Sequence, residues 1–325
     1  MRLVDPLISV VIPAYDEAGV LKSLVAQVGE GLAGQRFEIL IVNDGSTDGT
    51  REVIDQLGAE DPRVKGIHLS RNFGHQAAIL AGLMHASGHA VVVMDADLQD
   101  DPRSLPQFVS KWREGFDVVY AIRVGRKEAA WKRVLFHAFY RVLNAMAGSA
   151  MPTDAGNFGL VDRKVYEHLR DAPERDRYYP GLRHWVGFRQ TGIQVERNER
   201  YDGTPRVSIG GLLRLAKTAI FSFSSLPLTI FYAIAALSAL GFVALALFTL
   251  VQKLIMHTAI LGWTSTVMAA CFFGALNALG IAILGEYVIR IYDQVRGRPA
   301  FVIERTVNLA ERPGADASPP ATPRT

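Results

Sequence analysis

Five short apolar runs punctuate the first part of the chain: Ile8–Ile12, Glu38–Val42, Val64–Leu69, Ala90–Met94 and Val118–Ala121. Each has the length and β-branched content of a buried strand. Between the first four lie Glu17–Glu30, Asp48–Leu57 and Gly74–Ala86, whose composition suits helices. Strands alternating with helices predict a parallel sheet covered by helices, an α/β fold. The first four runs end in polar clusters, PAYDE, NDGSTDGT, SRNFGHQ and DADLQDD. Ligands of such sheets bind outside the carboxyl ends of the strands, so the four clusters predict one site along one rim. No G-x-G-x-x-G follows the first run, which argues against a dinucleotide dehydrogenase.

Further along, the pattern changes period. Trp131, Val134, Leu135, Ala138, Phe139, Val142 and Met146 recur at helical spacing between basic residues, and GGLLRLAKTAIFSF behaves similarly. Core packing and a helix lying among lipid headgroups both suit the first stretch; the second is expected at the interface. Thr218–Gln252 then carries no charged residue, and Leu254–Gly285 none apart from His257. A membrane span needs about 20 mostly apolar residues, so spans are predicted near Leu226–Val251 and Thr264–Gly285. Arg214 and Lys217 precede them and Arg290, Arg296 and Arg298 follow, with only Lys253 and His257 between. That bias predicts both ends in the cytoplasm.

The expected organisation is a cytoplasmic domain over residues 1–210, a juxtamembrane amphipathic helix over 211–225, a two-helix transmembrane hairpin over 226–288, and a cytoplasmic tail over 289–325. The tail ends in a Pro/Ala-rich stretch expected to be disordered. Leu7–Ile12 is too short, and meets Pro13 too soon, to read as a signal peptide.

Composition narrows the function classes. Of 325 residues, 49% are hydrophobic and the mean hydropathy is positive, as for a membrane-associated protein. A net charge of +3 gives no sign of a nucleic-acid partner. Cys271 is the one cysteine, which excludes an internal disulfide and a cysteine-cluster metal site.

The candidate chemistry lies in VVVMDADLQDDP, where Asp95, Asp97, Asp100 and Asp101 follow a buried strand. Asp95, Asp97 and Gln99 offer hard oxygen ligands spaced for Mg²⁺ or Mn²⁺, which use one or two carboxylates and complete their shell with phosphate oxygens and water. Asp100 and Asp101 precede Pro102 and are expected to start a helix.

Taken together, SVVIPAYDE, IVNDGSTDGT, LSRNFGHQAAILAGL and DADLQDDP resemble glycosyltransferase family 2, whose nucleotide-sugar domain has the Rossmann-like GT-A fold. TDAGNFGLVDRKV, FSFSSLPL and GEYVIRIYDQVRGRPAFVIE are similar to polyprenyl-phosphate glycosyltransferases. These include the bactoprenol glucosyltransferases, dolichol-phosphate mannose synthases and aminoarabinose transferases. The resemblance runs over residues 7–304.

What it implies is a GT-A domain followed by interfacial amphipathic helices and two transmembrane helices, carrying a sugar from a nucleotide sugar to a polyprenyl phosphate. Pro13, Tyr15 and Glu17 would line the nucleotide pocket and Asp44 would read the base or ribose. Asp95, Asp97 and Gln99 would hold the metal on the donor diphosphate, and Asp154 would stand at the reaction centre. Arg123, Arg126, Arg200 and Arg206 are the expected phosphate-binding cations, for which a planar guanidinium suits better than an ammonium. His75 is expected in the site wall and His184 in a structural role. Relatives further imply a homo-oligomer, a dimer or tetramer. The family's usual Arg-x-x-Gly-x-Ser-Lys reads RYDGTPR here, so Pro205 and Arg206 stand in place of serine and lysine. Two other readings stay open: a processive polysaccharide synthase of the same family, and a non-catalytic subunit that binds nucleotide sugar or lipid.

Overall fold

The computed structural model describes residues 5–124, 155–174, 177–196, 226–254 and 262–309. The described residues fall into two units, one built from the chain up to Leu212 together with the segment from Gly297 onward, the other spanning Leu213–Arg296.

The first unit is an eight-stranded sheet. Strands β1 (Leu7–Ala14), β2 (Arg36–Asn43), β3 (Val64–Leu69) and β4 (Ala90–Val93) alternate with helices α1 (Ala18–Gly31), α2 (Thr50–Glu60) and α3 (His75–His85). A 3₁₀ turn over Pro102–Ser104 leads into α4 (Leu105–Arg113) and then β5 (Val118–Val124). After it come β6 (Ala155–Asp162), α5 (Arg163–Asp171), α6 (Tyr179–Trp185), β7 (Gln190–Glu196) and, near the C-terminus, β8 (Ile303–Val307). The strand order is β7-β5-β6-β4-β1-β2-β3-β8.

β4, β1, β2 and β3 run parallel, as the alternation predicts. Beyond these four strands the sheet is mixed. β6 inserts antiparallel between β4 and β5, and β8 closes the far edge antiparallel to β3. α4 carries the chain from β4 to β5, which runs parallel to β4 with β6 between them in the sheet.

The core explains the strands. Ile8, Val10, Ile12, Ile39, Ile41, Val92 and Phe158 lie on one face of the sheet and pack on Leu21, Leu24, Phe108 and Trp112 from the helices. Nearly every residue of β1 is buried on both faces, which is why its sequence is a continuous apolar run. At the amino end of the strands the buried carboxylate of Glu38 accepts from Ser87, Ser9 and Lys65. Those partners, against the cost of burial, hold its pKa below the ordinary value.

The second unit contains two long helices, α7 (Leu226–Leu254) and α8 (Trp263–Val295). They meet where Phe231 lies over Gly280: a Cβ at Gly280 would come within 2.2 Å of the Phe231 ring. Among the described residues, Phe272–Val295 is long and apolar enough to cross a membrane. α8 continues ten residues past the expected end at Gly285, through an ion pair of Glu286 with Arg290 (3.4 Å). The amphipathic stretches around 131–146 and 211–225 and the end of the tail lie outside the described residues.

Candidate active site

The carboxyl ends of β1 to β4 form one rim, and the polar clusters there are tied together by side chains. Asp16, in the left-handed region at φ 54°, accepts from Thr47 N (2.7 Å), while its own N–H donates to Ser46 Oγ (3.0 Å). Glu17 N donates to Thr50 Oγ1 at 2.9 Å. The β1 and β2 loops therefore hold one another. Gly45 (φ 69°) lets the β2 loop meet the β3 loop: a Cβ there would sit 2.4 Å from the carbonyl carbon of Arg71.

Asp44 is buried and accepts from the N–H groups of Phe73 (2.7 Å) and Gly74 (2.9 Å), one on each oxygen. Burial pushes its pKa up, and this outweighs the two backbone hydrogen bonds pulling the other way. A residue expected to read the nucleotide thus builds the loop that leads into α3. Pro13 is buried inside β1, opposite Val42, and Tyr15 stands exposed just beyond the strand.

The four carboxylates of VVVMDADLQDDP separate. Asp97 is buried and its Oδ1 accepts from Gln99 N at 3.2 Å, closing a tight turn around Leu98. Leu98 has φ 57°, a strained setting for a leucine and of the kind found at functional sites. Asp101 caps the 3₁₀ turn, accepting from Arg103 N at 2.9 Å, so the helix-start expectation fits it. Asp100 is buried just ahead of that cap.

Asp95 is reached from two sides. Its Oδ1 lies 3.3 Å from His75 Nε2, the first residue of α3, and 3.4 Å from Asn157 Nδ2 on β6. Asn157 Nδ2 is 2.9 Å from the same imidazole nitrogen. Desolvation disfavours the His75 imidazolium, but Asp95, with Asp44 and Asp97 beyond it, outweighs this and raises its pKa above the ordinary value.

Among the described residues no cluster of three or more His, Cys, Asp and Glu could hold a metal. The donor set is two carboxylates at a strand end, all hard oxygen. That suits Mg²⁺ or Mn²⁺ completing its shell on a diphosphate, and suits Zn²⁺ poorly. His75 stands beside Asp95; His184 lies half-buried on α6. Asn157 lies within the TDAGNFGLVDRKV stretch, but the sequence gives it no role of its own there, since its site contacts are tertiary. Asp154, Arg126, Arg200 and Arg206 lie outside the described residues. Arg123 lies on β5, in register with Val195 of β7.

With rim and fold in view, the comparisons with known proteins agree. The glycosyl transferase family 2 model matches residues 9–170. Glycosyltransferase YkcC of Bacillus subtilis is 37% identical over 94% of this chain and 95% of its own length. The SfII prophage-derived bactoprenol glucosyl transferase of Shigella flexneri is 33% identical over 92% and 98%. A solved mycobacterial protein, 18% identical over 67% of this chain and 75% of its own, superposes with a TM-score of 0.50 and shares the fold. The chain belongs to glycosyltransferase family 2 and is a glycosyltransferase built on the GT-A fold.

Proposed function

We propose that the protein transfers a sugar from a nucleotide sugar, UDP-linked, to polyprenyl phosphate at the cytoplasmic face of the membrane, with inversion at the anomeric carbon. The observation that carries the reading is the placement of Asp95 and Asp97 at the end of β4, on a rim shared with three other polar strand ends. The lipid acceptor is supported by a relative named for bactoprenol that aligns over 92% of the chain.

The reaction joins an acceptor phosphate oxygen to the anomeric carbon. The bond from that carbon to the donor diphosphate breaks, and the leaving nucleoside diphosphate keeps the electron pair. A phosphate monoester has a second pKa of about 6, so the nucleophile is largely ionised near neutral pH and needs little base catalysis. A divalent cation, when bound, neutralises charge on the departing diphosphate. The chain's part is to hold and orient. Asp95, Asp97 and Gln99 would hold the cation; Pro13, Tyr15, Glu17 and the loop fixed by Asp44 would line the nucleotide. Arg123, Arg126, Arg200 and Arg206 would bring the second anion in, and Asp154 would stand at the reaction centre.

Membrane attachment is supported by Leu237, Val243, Leu247, Ile281, Leu284 and Ile289, exposed apolar side chains of α7 and α8. Two crossings are favoured over one by the sheet itself. β8 follows α8 in the chain yet pairs with β3, so the chain must return to the side it left. That reading keeps both ends cytoplasmic and leaves the lipid tail in the bilayer while its phosphate is glycosylated. A dimer or tetramer is part of the proposal.

The test is purified protein with undecaprenyl phosphate, Mn²⁺ or Mg²⁺, and a panel of nucleotide sugars. Formation of the polyprenyl-phosphate sugar with one of them is expected. No product with any would overturn the assignment.

A further inference from the structure

Three atoms from three separate elements meet beside the metal-binding motif. They are Asn157 Nδ2 from β6, His75 Nε2 from the start of α3, and Asp95 Oδ1 beyond β4, and no two are more than 3.4 Å apart. An amide nitrogen carries two hydrogens: one serves Asp95 Oδ1, and the other meets His75 Nε2 in the tautomer that leaves that ring nitrogen bare. Both contacts to Asp95 fall on a single oxygen, which fixes the rotation of that carboxylate about its Cβ–Cγ bond.

Asn157 is itself held from beneath. Its carbonyl accepts from Arg183 Nη1 at 3.3 Å. Arg183 is 2% exposed and lies 5.6 Å from the ring centres of both Tyr120 and Tyr179. Room for the guanidinium comes from Gly159, two residues along β6, where a Cβ would lie 3.1 Å from Arg183 Nη1. A fully buried arginine that packs between two rings and bonds a strand carbonyl is a rigid support, since moving it would expose an unsatisfied charge.

We propose that Asn157 is the positioning residue for the divalent cation: it shares His75 with Asp95 and sets the Asp95 carboxylate to receive the metal. The inference rests on the metal-dependent reading above and adds to it a residue that donates to a ligand rather than binding the metal. Without the amide, Asp95 Oδ1 loses a donor that sets its orientation, and a less ordered carboxylate is a poorer partner for a cation. Outer hydrogen-bond partners of metal ligands typically change metal affinity by about 10- to 100-fold when removed.

The experiment is a Mn²⁺ titration of the full-length protein in detergent, with UDP held constant and free Mn²⁺ counted by electron paramagnetic resonance. Wild type, Asn157→Ala, Asn157→Ser, His75→Ala and the His75→Ala/Asn157→Ala double variant are compared, with thermal unfolding run alongside. Asn157→Ala should weaken Mn²⁺ binding about tenfold, with Asn157→Ser between it and wild type. Both should raise the Mn²⁺ concentration needed for half-maximal transfer more than they lower the rate at saturating Mn²⁺. The double variant should fall short of the product of the two single effects, because the residues act on one carboxylate. Unchanged Mn²⁺ affinity in folded Asn157 variants would overturn this inference alone. Failure of wild type to bind Mn²⁺ would overturn the metal-dependent reading, and this inference with it.

Discussion

Arg305 on β8 pairs with Asp55 on α2, and Asp55 passes that contact inward to Nε2 of the fully buried His68, 3.2 Å away. The other ring nitrogen of His68 meets Asn43 Nδ2 at 3.2 Å, and Asn43 Oδ1 accepts from Ser46 N in the β2 rim loop. Polar contacts thus run from β8 to the edge of the candidate site. Burial lowers the His68 pKa; Asp55 opposes this, and Arg305 and Arg51 add to it.

A histidine held neutral in the folded protein stabilises it fully above the ordinary value of 6.5. That stabilisation is lost as pH falls from there toward the folded pKa, because the unfolded chain takes the proton first. Stability measured by urea unfolding should therefore fall between neutral pH and pH 5. His68→Gln should flatten that slope while costing about 1 kcal/mol at pH 7.5 for an imperfectly replaced hydrogen bond. An unchanged slope in the variant would remove His68 as the source.

The seam between β3 and β8 leaves no room at Gly66. A Cβ there would lie 2.7 Å from Ile54 Cγ2 and 3.2 Å from Val307 Cβ. Gly66→Ala should destabilise by about 1–3 kcal/mol, the usual cost of overpacking. Trimming Val307 to Ala in the same chain should restore part of that loss, read as the shift in denaturation midpoint.

Asp97→Ala should leave the fold intact and reduce transfer by at least about a hundredfold, the scale seen when one transition-state charge stabiliser is removed. Raising Mn²⁺ should not rescue it. Undiminished transfer would remove Asp97 from the metal site.

Asp44→Asn keeps the shape but points an NH₂ group at one of two backbone N–H donors. The loop entering α3 should loosen, at about 1–3 kcal/mol for the unsatisfied donor. In steady-state assays the nucleotide-sugar KM should rise more than kcat falls if, as proposed, the loop lines the nucleotide. The opposite split would place Asp44 in the chemical step instead.

Much of the fold was legible because β1 to β4 are buried on both faces, so their sequences are unbroken apolar runs ended by polar clusters. β6 was not legible as a strand: AGNFGLVD is interrupted by two glycines and an asparagine, residues that weaken a strand pattern. β7 and β8 lie at the sheet edges, where QTGIQVE and IERTV need only one apolar face. Within the site, Asp95, Asp97 and Asp44 were visible from their motif settings. Asn157 and Arg183 were not, since their roles come from tertiary neighbours 62 or 26 residues away.

β8 also sets an order of events during synthesis. A ribosome that has finished β7 has made seven strands of the sheet, and the partner of β3 is still to be translated behind two long helices. Until those helices have emerged and been accommodated, β3 presents an unpaired edge, the kind of surface that invites wrong pairing. The eight-stranded sheet can therefore be completed only once α7 and α8 have been made, so maturation of the enzyme is timed by the synthesis of its helix pair.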